Sequence, residues 1–324
     1  MGGSALSGQG LDTSGNSLLK GSFHFRQLEA ANFDPNTGDI TEAVAVSGVI
    51  TFDGAGNYAI TNGTYLDSAS ASQTVATSGT YGIGANGWGY LANPLDSGDS
   101  VYGAVAQGIF IGSSTEGSVT NQFIAIPTGP VLTNSTFTGS YWAGLLDFPG
   151  GFSTDLKNAL FEFTPNGQGT FGPIPLNGQA ENQTAPTITQ TVNGATYSFG
   201  TDGSVVMNLP TPSGVTSTNA LFSGTRTMYV SADGNFVLGY APAGYDIFFG
   251  VKAIGSSPSP SVYSGTYYLA ALEDGFGNPA GDIDGFYGSL VSDGQVPVPD
   301  QIIHERLFSP LYYAIDYEID DYMT

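Results

Sequence analysis

The sequence predicts an all-β protein built from tandem antiparallel β-barrel or sandwich-like domains that are joined by Pro/Gly/Ser linkers. Short runs rich in Tyr, Phe, Val, Ile and Thr recur roughly every ten residues, which is typical of all-β domains, whereas helical periodicity is nearly absent. Asn-Gly and Asp-Gly pairs separate these runs and supply the positive φ angles that tight hairpins need. Antiparallel hairpins are therefore the expected connection between strands.

The expected strands and turns alternate along the chain. In order, strands are predicted at 23–25, 49–52, 160–163, 197–199, 236–238 and 247–251. Turns are predicted at 53–57, 165–167, 202–203, 232–235 and 293–294, where Gly follows Asp or Asn. Because each strand is short, every sheet has to be assembled from several hairpins.

A Gly-x-aromatic tripeptide opens three segments of the chain, at Gly21, Gly139 and Gly265. The glycines are separated by domain lengths, which exceed the roughly 20–50 residues of solenoid or propeller repeats. Linkers rich in Pro, Gly and Ser precede the second and third segments, at 127–130 and 255–260. The predicted organisation is an extended polar N-terminal arm at 1–19, a β domain at 20–128, a second β domain at 137–254 that repeats the first, and a partial, acidic third repeat at 263–324.

The first strand of each segment resembles that of a known barrel family. A Gly-x-aromatic strand, with Phe23, Tyr141 or Tyr267 as the aromatic residue, followed by successive hairpins is similar to the lipocalin and avidin type of up-and-down barrel. Tandem Gly-rich and Thr-rich units over 20–324 also look like uncharacterised repeat domains of large exported bacterial proteins. The second resemblance implies an extracellular or cell-surface location on a bacterium, and it implies no activity.

Composition and charge exclude several classes of partner. Six Lys and Arg residues stand against 28 Asp and Glu residues, which gives a formal net charge of −22, and the six basic residues are scattered. Nucleic acids and anionic membrane surfaces recruit clusters of Lys and Arg, so neither is an expected partner. No run approaches the roughly 18 apolar residues of a spanning helix, so no membrane-spanning segment is expected.

Only 10% of the residues are charged, which is typical of secreted or surface-attached β proteins with a neutral polar surface. No signal peptide is expected within this sequence.

Few residues in the sequence indicate a metal-binding, catalytic or sugar-binding site. The chain has no Cys and two histidines, His24 and His304, which lie in different predicted units, so a zinc site is not expected. We predict no catalytic residues and no bound cofactor, and calcium is the one candidate ion. Sugar-binding clefts are rich in exposed Trp, and the chain has two, Trp88 and Trp142. Its 18 Tyr are expected mainly to pack within the sheets.

One acidic segment is a candidate calcium site. Oxygen donors are concentrated within thirteen residues, at Glu273, Asp274, Asn278, Asp282 and Asp284. Ca²⁺ takes six to eight such oxygens, although the EF-hand spacing is not met. The alternative interpretation is an acidic, solvated loop in which Asp and Gly act as turn formers.

The leading functional hypothesis is a non-catalytic, exported structural or surface protein that self-assembles into a homo-oligomer, a filament or a surface layer. Residues 263–324 cover about half a repeat, and a partial sheet leaves edge strands that recruit another strand. The polar segment Gly2 to Leu19 is then the strand that pairs with a neighbour's open edge. The alternative is that 263–324 is a truncated or divergent domain.

Two further hypotheses stay open. The second is an extracellular binding module that holds a small hydrophobic ligand inside a barrel or a glycan on a Tyr-lined surface. The third is an enzyme acting on polysaccharide, which needs two close carboxylates. The binding module predicts a cavity within 20–128 or 137–254, whereas assembly predicts that these interiors are filled by side chains such as Phe161, Phe163, Tyr197 and Phe199.

Overall fold

The computed structural model describes residues 12–34, 39–114, 119–129, 132–185, 187–255, 264–275, 282–293, 300–309 and 312–320, with side chains after residue 263 described at 264–270 and 287–292. The strands of these ranges form three antiparallel sheets, and their helical elements are short 3₁₀ turns. The all-β prediction is confirmed, and the first sheet takes the barrel form. No helix among the described residues is both long and apolar enough to cross a membrane.

The first sheet is a closed eight-stranded barrel. Its strands are β1 (Lys20–Phe33), β2 (Ile40–Asp53), β3 (Asn57–Asp67), β4 (Gln73–Ile83), β5 (Trp88–Ala92), β6 (Ser100–Ala106), β7 (Ile109–Ser114) and β8 (Thr120–Pro127). Each strand pairs with the next, and β8 returns to β1. The predicted turn at 53–57 joins β2 to β3, where the Asp53 carboxylate accepts hydrogen bonds from the Ala55 and Asn57 amides at 2.6 and 3.0 Å.

Aromatic side chains fill the interior of this barrel. Phe25 and Phe123 stack with ring centroids 5.4 Å apart, and both are almost wholly buried. A 3₁₀ turn at Asn16–Leu18 packs against the same barrel. The Tyr81 hydroxyl donates to the Asn16 and Leu19 carbonyls at 3.0 and 2.9 Å, and Leu19 is fully buried. Residues 12–19 therefore form part of the first barrel's packing.

The second sheet has nine strands and curls into a half-barrel. Its strands are β9 (Tyr141–Asp147), β10 (Lys157–Phe163), β11 (Ile174–Ala180), β12 (Ile188–Val192), β13 (Thr196–Phe199), β14 (Val205–Leu209), β15 (Gly224–Val230), β16 (Phe236–Tyr240) and β17 (Asp246–Lys252). The last strand, β17, pairs with the first, β9, and the two edges are β12 and β13. The four side chains expected to fill this interior all pack there: Phe161, Phe163 and Tyr197 are buried, and Phe199 packs against them.

The third sheet has four strands in the order β18 (Ser264–Gly275), β19 (Asp282–Asp293), β20 (Asp300–Ser309) and β21 (Tyr312–Asp320). It lies against β6, β7 and β8 of the first barrel. The Gln122 side chain on β8 donates to the Ala270 carbonyl on β18 at 3.0 Å. The three glycines that open the predicted segments, Gly21, Gly139 and Gly265, all have positive φ, at 101°, 96° and 120°.

The barrel and the half-barrel pack through a shared apolar cluster. Residues that point outward from the barrel, including Leu28 and Ile124, meet Phe148, Leu238 and Ile247 of the half-barrel. His24, expected to be an outward strand residue, does point outward and stacks on Tyr229 with centroids 3.7 Å apart. Burial in this interface lowers the pKa of His24 to about 4. The imidazole therefore stays neutral at physiological pH and acts as a packing surface.

Candidate functional site

A groove of about 460 Å³ lies between the first barrel and the third sheet. Four aromatic side chains line it, Trp88, Tyr90, Tyr102 and Tyr287, together with Asp12, Asn86 and a floor of glycines at 82, 84 and 89. All four aromatic residues are half-buried. This volume is within the range of pockets that hold small molecules, about 300–1,000 Å³. We refer to it as the aromatic groove.

Strand alternation and register place three of these rings on the outer face of the barrel. Leu91 and Val101 point into the barrel core, so their neighbours Tyr90 and Tyr102 point out. Tyr90 pairs directly with Tyr102 on β6 and with Gly82 on β4. A Cβ at Gly82 would lie 2.7 Å from the Tyr90 ring, so glycine at this position lets the ring lie flat across β4.

The third sheet supplies the opposite wall. The Tyr287 ring lies 6.1 Å from Tyr102 at an interplanar angle of 21°, and 6.0 Å from Trp88. Tyr268 meets the edge of Trp88 at 5.0 Å, and its hydroxyl donates to the Asn86 carbonyl at 2.7 Å. These contacts fix the separation of the two walls, because aromatic pairs at 4.5–7 Å attract one another.

Polar groups stand at one end of the groove. Hydrogen bonds from Ser14, and to a smaller extent from the Ala85 amide, hold the pKa of Asp12 below its usual range. Asp12 is therefore a carboxylate at neutral pH. Asn86 belongs to the tight turn between β4 and β5, in which the Gly87 amide donates to the Gly84 carbonyl at 2.9 Å. The Asn86 Oδ1 atom accepts from the Trp88 amide at 3.2 Å, which ties this turn to the first aromatic residue of the groove.

The arrangement combines flat apolar faces with a few hydrogen-bonding groups. Such sites hold ligands that have both C–H faces and hydroxyl groups, because the negative face of an aromatic ring attracts C–H and the polar rim fixes orientation. Among the described lining residues, Asp12 is the single carboxylate. Glycoside hydrolysis uses two carboxylates about 5–10 Å apart, so the described lining supplies one of the two groups.

The structure separates the residues that the sequence singled out. Trp88 lies in the aromatic groove, whereas Trp142 lies on the outer face of β9 with 47% of its surface exposed. Of the calcium candidates, Glu273 and Asp274 lie on β18, and Asp282 and Asp284 on β19, where Glu273 pairs with Asp284. Asn278 lies outside the described residues. His304 lies on β20, opposite Tyr287 in the strand register.

Sequence reasoning missed Tyr90, Tyr102, Tyr287 and Asp12. One local signal was available, because Trp88 and Tyr90 are two residues apart and therefore share one face of a strand. Tyr102 and Tyr287 reach the groove through pairing and docking between distant segments, for which the sequence carries no local signal. Tyr58, Tyr81, Tyr141 and Tyr197, by contrast, are buried in the two cores, as expected for strand tyrosines.

Comparisons with known proteins do not identify a family for this chain. No protein-family model matches the chain, and no curated protein matches it. The chain aligns with the crystal structure of a protein of unknown function from the DUF3598 family of Nostoc punctiforme, at 9% sequence identity and a TM-score of 0.20. The alignment covers 75% of this chain and 99% of that one. A likeness at this level indicates neither a ligand nor an activity.

Proposed function

We propose that this protein is a non-catalytic, extracellular binding protein that holds a neutral glycan in the aromatic groove. The observation that carries this proposal is the grouping of Trp88, Tyr90, Tyr102 and Tyr287 around one groove. Sugar rings present apolar C–H faces that stack on aromatic rings, and their hydroxyls hydrogen-bond to groups such as the Asp12 carboxylate and the Asn86 amide.

Charge favours a neutral glycan over an acidic one. The formal net charge of the chain is −22, and the polar end of the groove holds an ionised Asp12. An anionic sugar would meet like charge both over the whole surface and at close range. Uronic acid and sulfated polymers are therefore the disfavoured members of this ligand class.

Two of the rival hypotheses receive less support from the same geometry. The side chains that fill both interiors, such as Phe25 and Phe161, occupy the space that a small hydrophobic ligand inside either sheet would need. A hydrolase would need a second carboxylate beside Asp12, which the described lining of the groove does not supply.

The test uses Trp88 as its own reporter. Because the chain has two tryptophans, a Trp142→Phe variant leaves Trp88 as the sole one. We expect one member of a panel of neutral glucan, xylan, mannan and chitin oligosaccharides to change Trp88 fluorescence in a saturable way. Adding Tyr102→Ala is expected to weaken that binding about tenfold, since one stacked ring contributes about 1.4 kcal/mol.

Trp142→Phe is also the matched control, because it alters an exposed aromatic residue away from the groove. By calorimetry it should bind the same sugar with the affinity of the unaltered chain. The proposal is wrong if no neutral sugar changes Trp88 fluorescence, or if Tyr102→Ala binds as tightly as its parent.

The third sheet favours a second candidate, self-assembly through strand pairing. Within the described ranges, β18 and β21 each pair with a single strand, so both are edges of an open sheet. Open edges are templates for another chain, and head-to-tail pairing of this kind can build a filament.

Light scattering and negative-stain microscopy at micromolar concentration test this second candidate. The variant of choice lacks residues 1–11 and keeps 12–19, because the latter pack against the first barrel. Assembly through the arm predicts long oligomers for the full chain and their loss on truncation. Monomers in both samples would contradict it and would leave the glycan proposal untouched.

A further inference from the structure

The inner wall of the first barrel changes from apolar to polar along β1. Phe23 and Phe25 point into the barrel core, and Gln27 and Glu29 follow on the same face of the strand. Asn121 on β8 lies directly opposite Glu29 in the register and is on the inward face shared with Phe123. Exposure is 0% for Gln27, 7% for Glu29 and 0% for Asn121, so all three side chains are withdrawn from solvent.

Three more side chains, Asn93, Asp99 and Ser114, lie beside these three. We call the six residues together the interior polar cluster. The Gln27 amide donates to Asn93 Oδ1 at 2.9 Å, and the Asn93 amide donates to Asp99 Oδ2 at 2.9 Å. The Ser114 hydroxyl lies 3.1 Å from both Asp99 oxygens. Asn93 and Asp99 belong to the connection between β5 and β6, so this connection ties down one mouth of the barrel.

Four polar atoms of the cluster have no hydrogen-bond partner among the described residues. They are Gln27 Oε1, Glu29 Oε2, and both Oδ1 and Nδ2 of Asn121. An unsatisfied buried polar group is costly, and folded proteins pair such groups with protein, water or an ion. Three of the four atoms are oxygens, and they belong to neighbouring positions on β1 and β8. This arrangement indicates a bound ion or molecule that the protein holds through oxygen atoms.

We propose that the interior polar cluster binds one Ca²⁺ ion, with Glu29 Oε2, Gln27 Oε1 and Asn121 Oδ1 among its ligands. Carboxylate and amide oxygens are the ligands that Ca²⁺ takes, and its flexible coordination tolerates an irregular set completed by water. Zn²⁺ and other softer ions prefer nitrogen and sulfur ligands. The chain has no Cys, and His24 points to the outside of the barrel.

Charge in and around the cluster supports a divalent cation. Two carboxyl groups, Glu29 and Asp99, lie within it, and Asp96 stands in the connection that covers it. The six side chains of the cluster include no Lys or Arg, so a bound cation would supply a positive charge beside its two carboxyl groups.

This site is distinct from the acidic hairpin of β18 and β19. The hairpin residues Glu273 and Asp284 are in the third sheet, whereas Glu29 and Asn121 lie inside the first barrel. The two can therefore be separated by mutation, and the proposal does not depend on glycan binding.

The test measures binding of Ca²⁺ alone to the chelator-treated full chain, by calorimetry and by thermal unfolding. We expect one site that Glu29→Gln and Asn121→Leu each weaken at least tenfold, while Asp284→Asn leaves it unchanged. At calcium about a hundredfold above Kd, the Tm of the unaltered chain should rise by roughly 5 °C. That rise should be absent in Glu29→Gln.

The Tm measured in chelator shows whether a variant has lost Ca²⁺ binding because it no longer folds. Glu29→Gln removes a buried carboxyl and keeps the size of the side chain, so in chelator its Tm should equal or exceed that of the unaltered chain. The proposal is overturned if the chain takes up no Ca²⁺ and its Tm does not respond, which would mean that water alone fills the cluster. It is equally overturned if Glu29→Gln and Asn121→Leu bind Ca²⁺ as the unaltered chain does.

Discussion

Replacing Asp246 with asparagine is expected to lower the free energy of unfolding by about 3–5 kcal/mol, because it leaves two buried guanidinium groups without their main counter-charge. Asp246 is fully buried and faces two arginines, Arg26 from the first barrel and Arg226 from the half-barrel. Its Oδ2 lies 3.0 Å from Arg226 Nε, and its Oδ1 lies 4.0 Å from Arg26 Nη2. Urea unfolding followed by circular dichroism measures the loss.

The surroundings of Arg26 explain the size of this effect. Its guanidinium is fully buried, donates to the Gly244 and Asp246 carbonyls at 2.5 and 3.0 Å, and lies 4.6 Å from the centre of the Tyr240 ring. The remaining carboxylate, Asp147, is 3.9 Å from Arg226. Burial, followed by repulsion from Asp246, raises the pKa of Asp147 to about 7. Asp246→Asn removes that repulsion, so Asp147 can replace part of the counter-charge of Arg226, with which it pairs, whereas Arg26 still loses its partner.

Two controls separate the lost ion pair from the loss of charge as such. Glu162→Gln removes a carboxylate from a partly exposed position on β10 and should cost less than about 1 kcal/mol. A quadruple variant, Arg26→Met and Arg226→Met with Asp147→Asn and Asp246→Leu, should be more stable than Asp246→Asn, because no charged group of these ion pairs is left buried without its partner. If Asp246→Asn unfolds at the same urea concentration as the unaltered chain, the ion pairs of Asp246 with Arg26 and Arg226 do not contribute to the free energy of unfolding as described.

Replacing Phe248 with alanine is expected to cost about 3–5 kcal/mol, the usual range for a buried phenylalanine. The Phe248 side chain is fully buried and packs 5.5 Å from the Phe222 ring and 6.1 Å from the Phe161 ring. It also covers Gly239, its direct partner on β16, where a Cβ would lie 2.1 Å from the Phe248 ring. Gly239→Ala should therefore cost about 1–3 kcal/mol through overpacking.

The double variant, Gly239→Ala with Phe248→Ala, tests this cross-strand pair directly. The methyl group introduced on β16 then occupies space that the ring has left, so the double variant should lose at least about 1 kcal/mol less than the sum of the single losses. Gly144→Ala is the matched control, since a Cβ at that position on β9 meets no atom within 4 Å. Additive losses, or an equal loss from Gly144→Ala, would show that the ring does not rest on Gly239.

Much of the fold could be predicted from local patterns. Alternation along β10, and Asn-Gly or Asp-Gly turns such as the one after Asp53, lead directly to antiparallel hairpins. For the aromatic groove, the same alternation places Trp88 and Tyr90 on one face of β5. These features depend on residues within a few positions of one another, which is why sequence alone reveals them.

Long-range contacts decided the rest. The first sheet closes because β8 pairs with β1, whereas β12 and β13 remain edges although they follow each other in the chain. Tyr287 contacts Tyr102, and Arg26 pairs with Asp246, although the members of each pair are far apart in the sequence. Local periodicity carries no information about such contacts. Neither pairing leaves a local trace, because closure and docking are set by how whole sheets bury their apolar faces against one another.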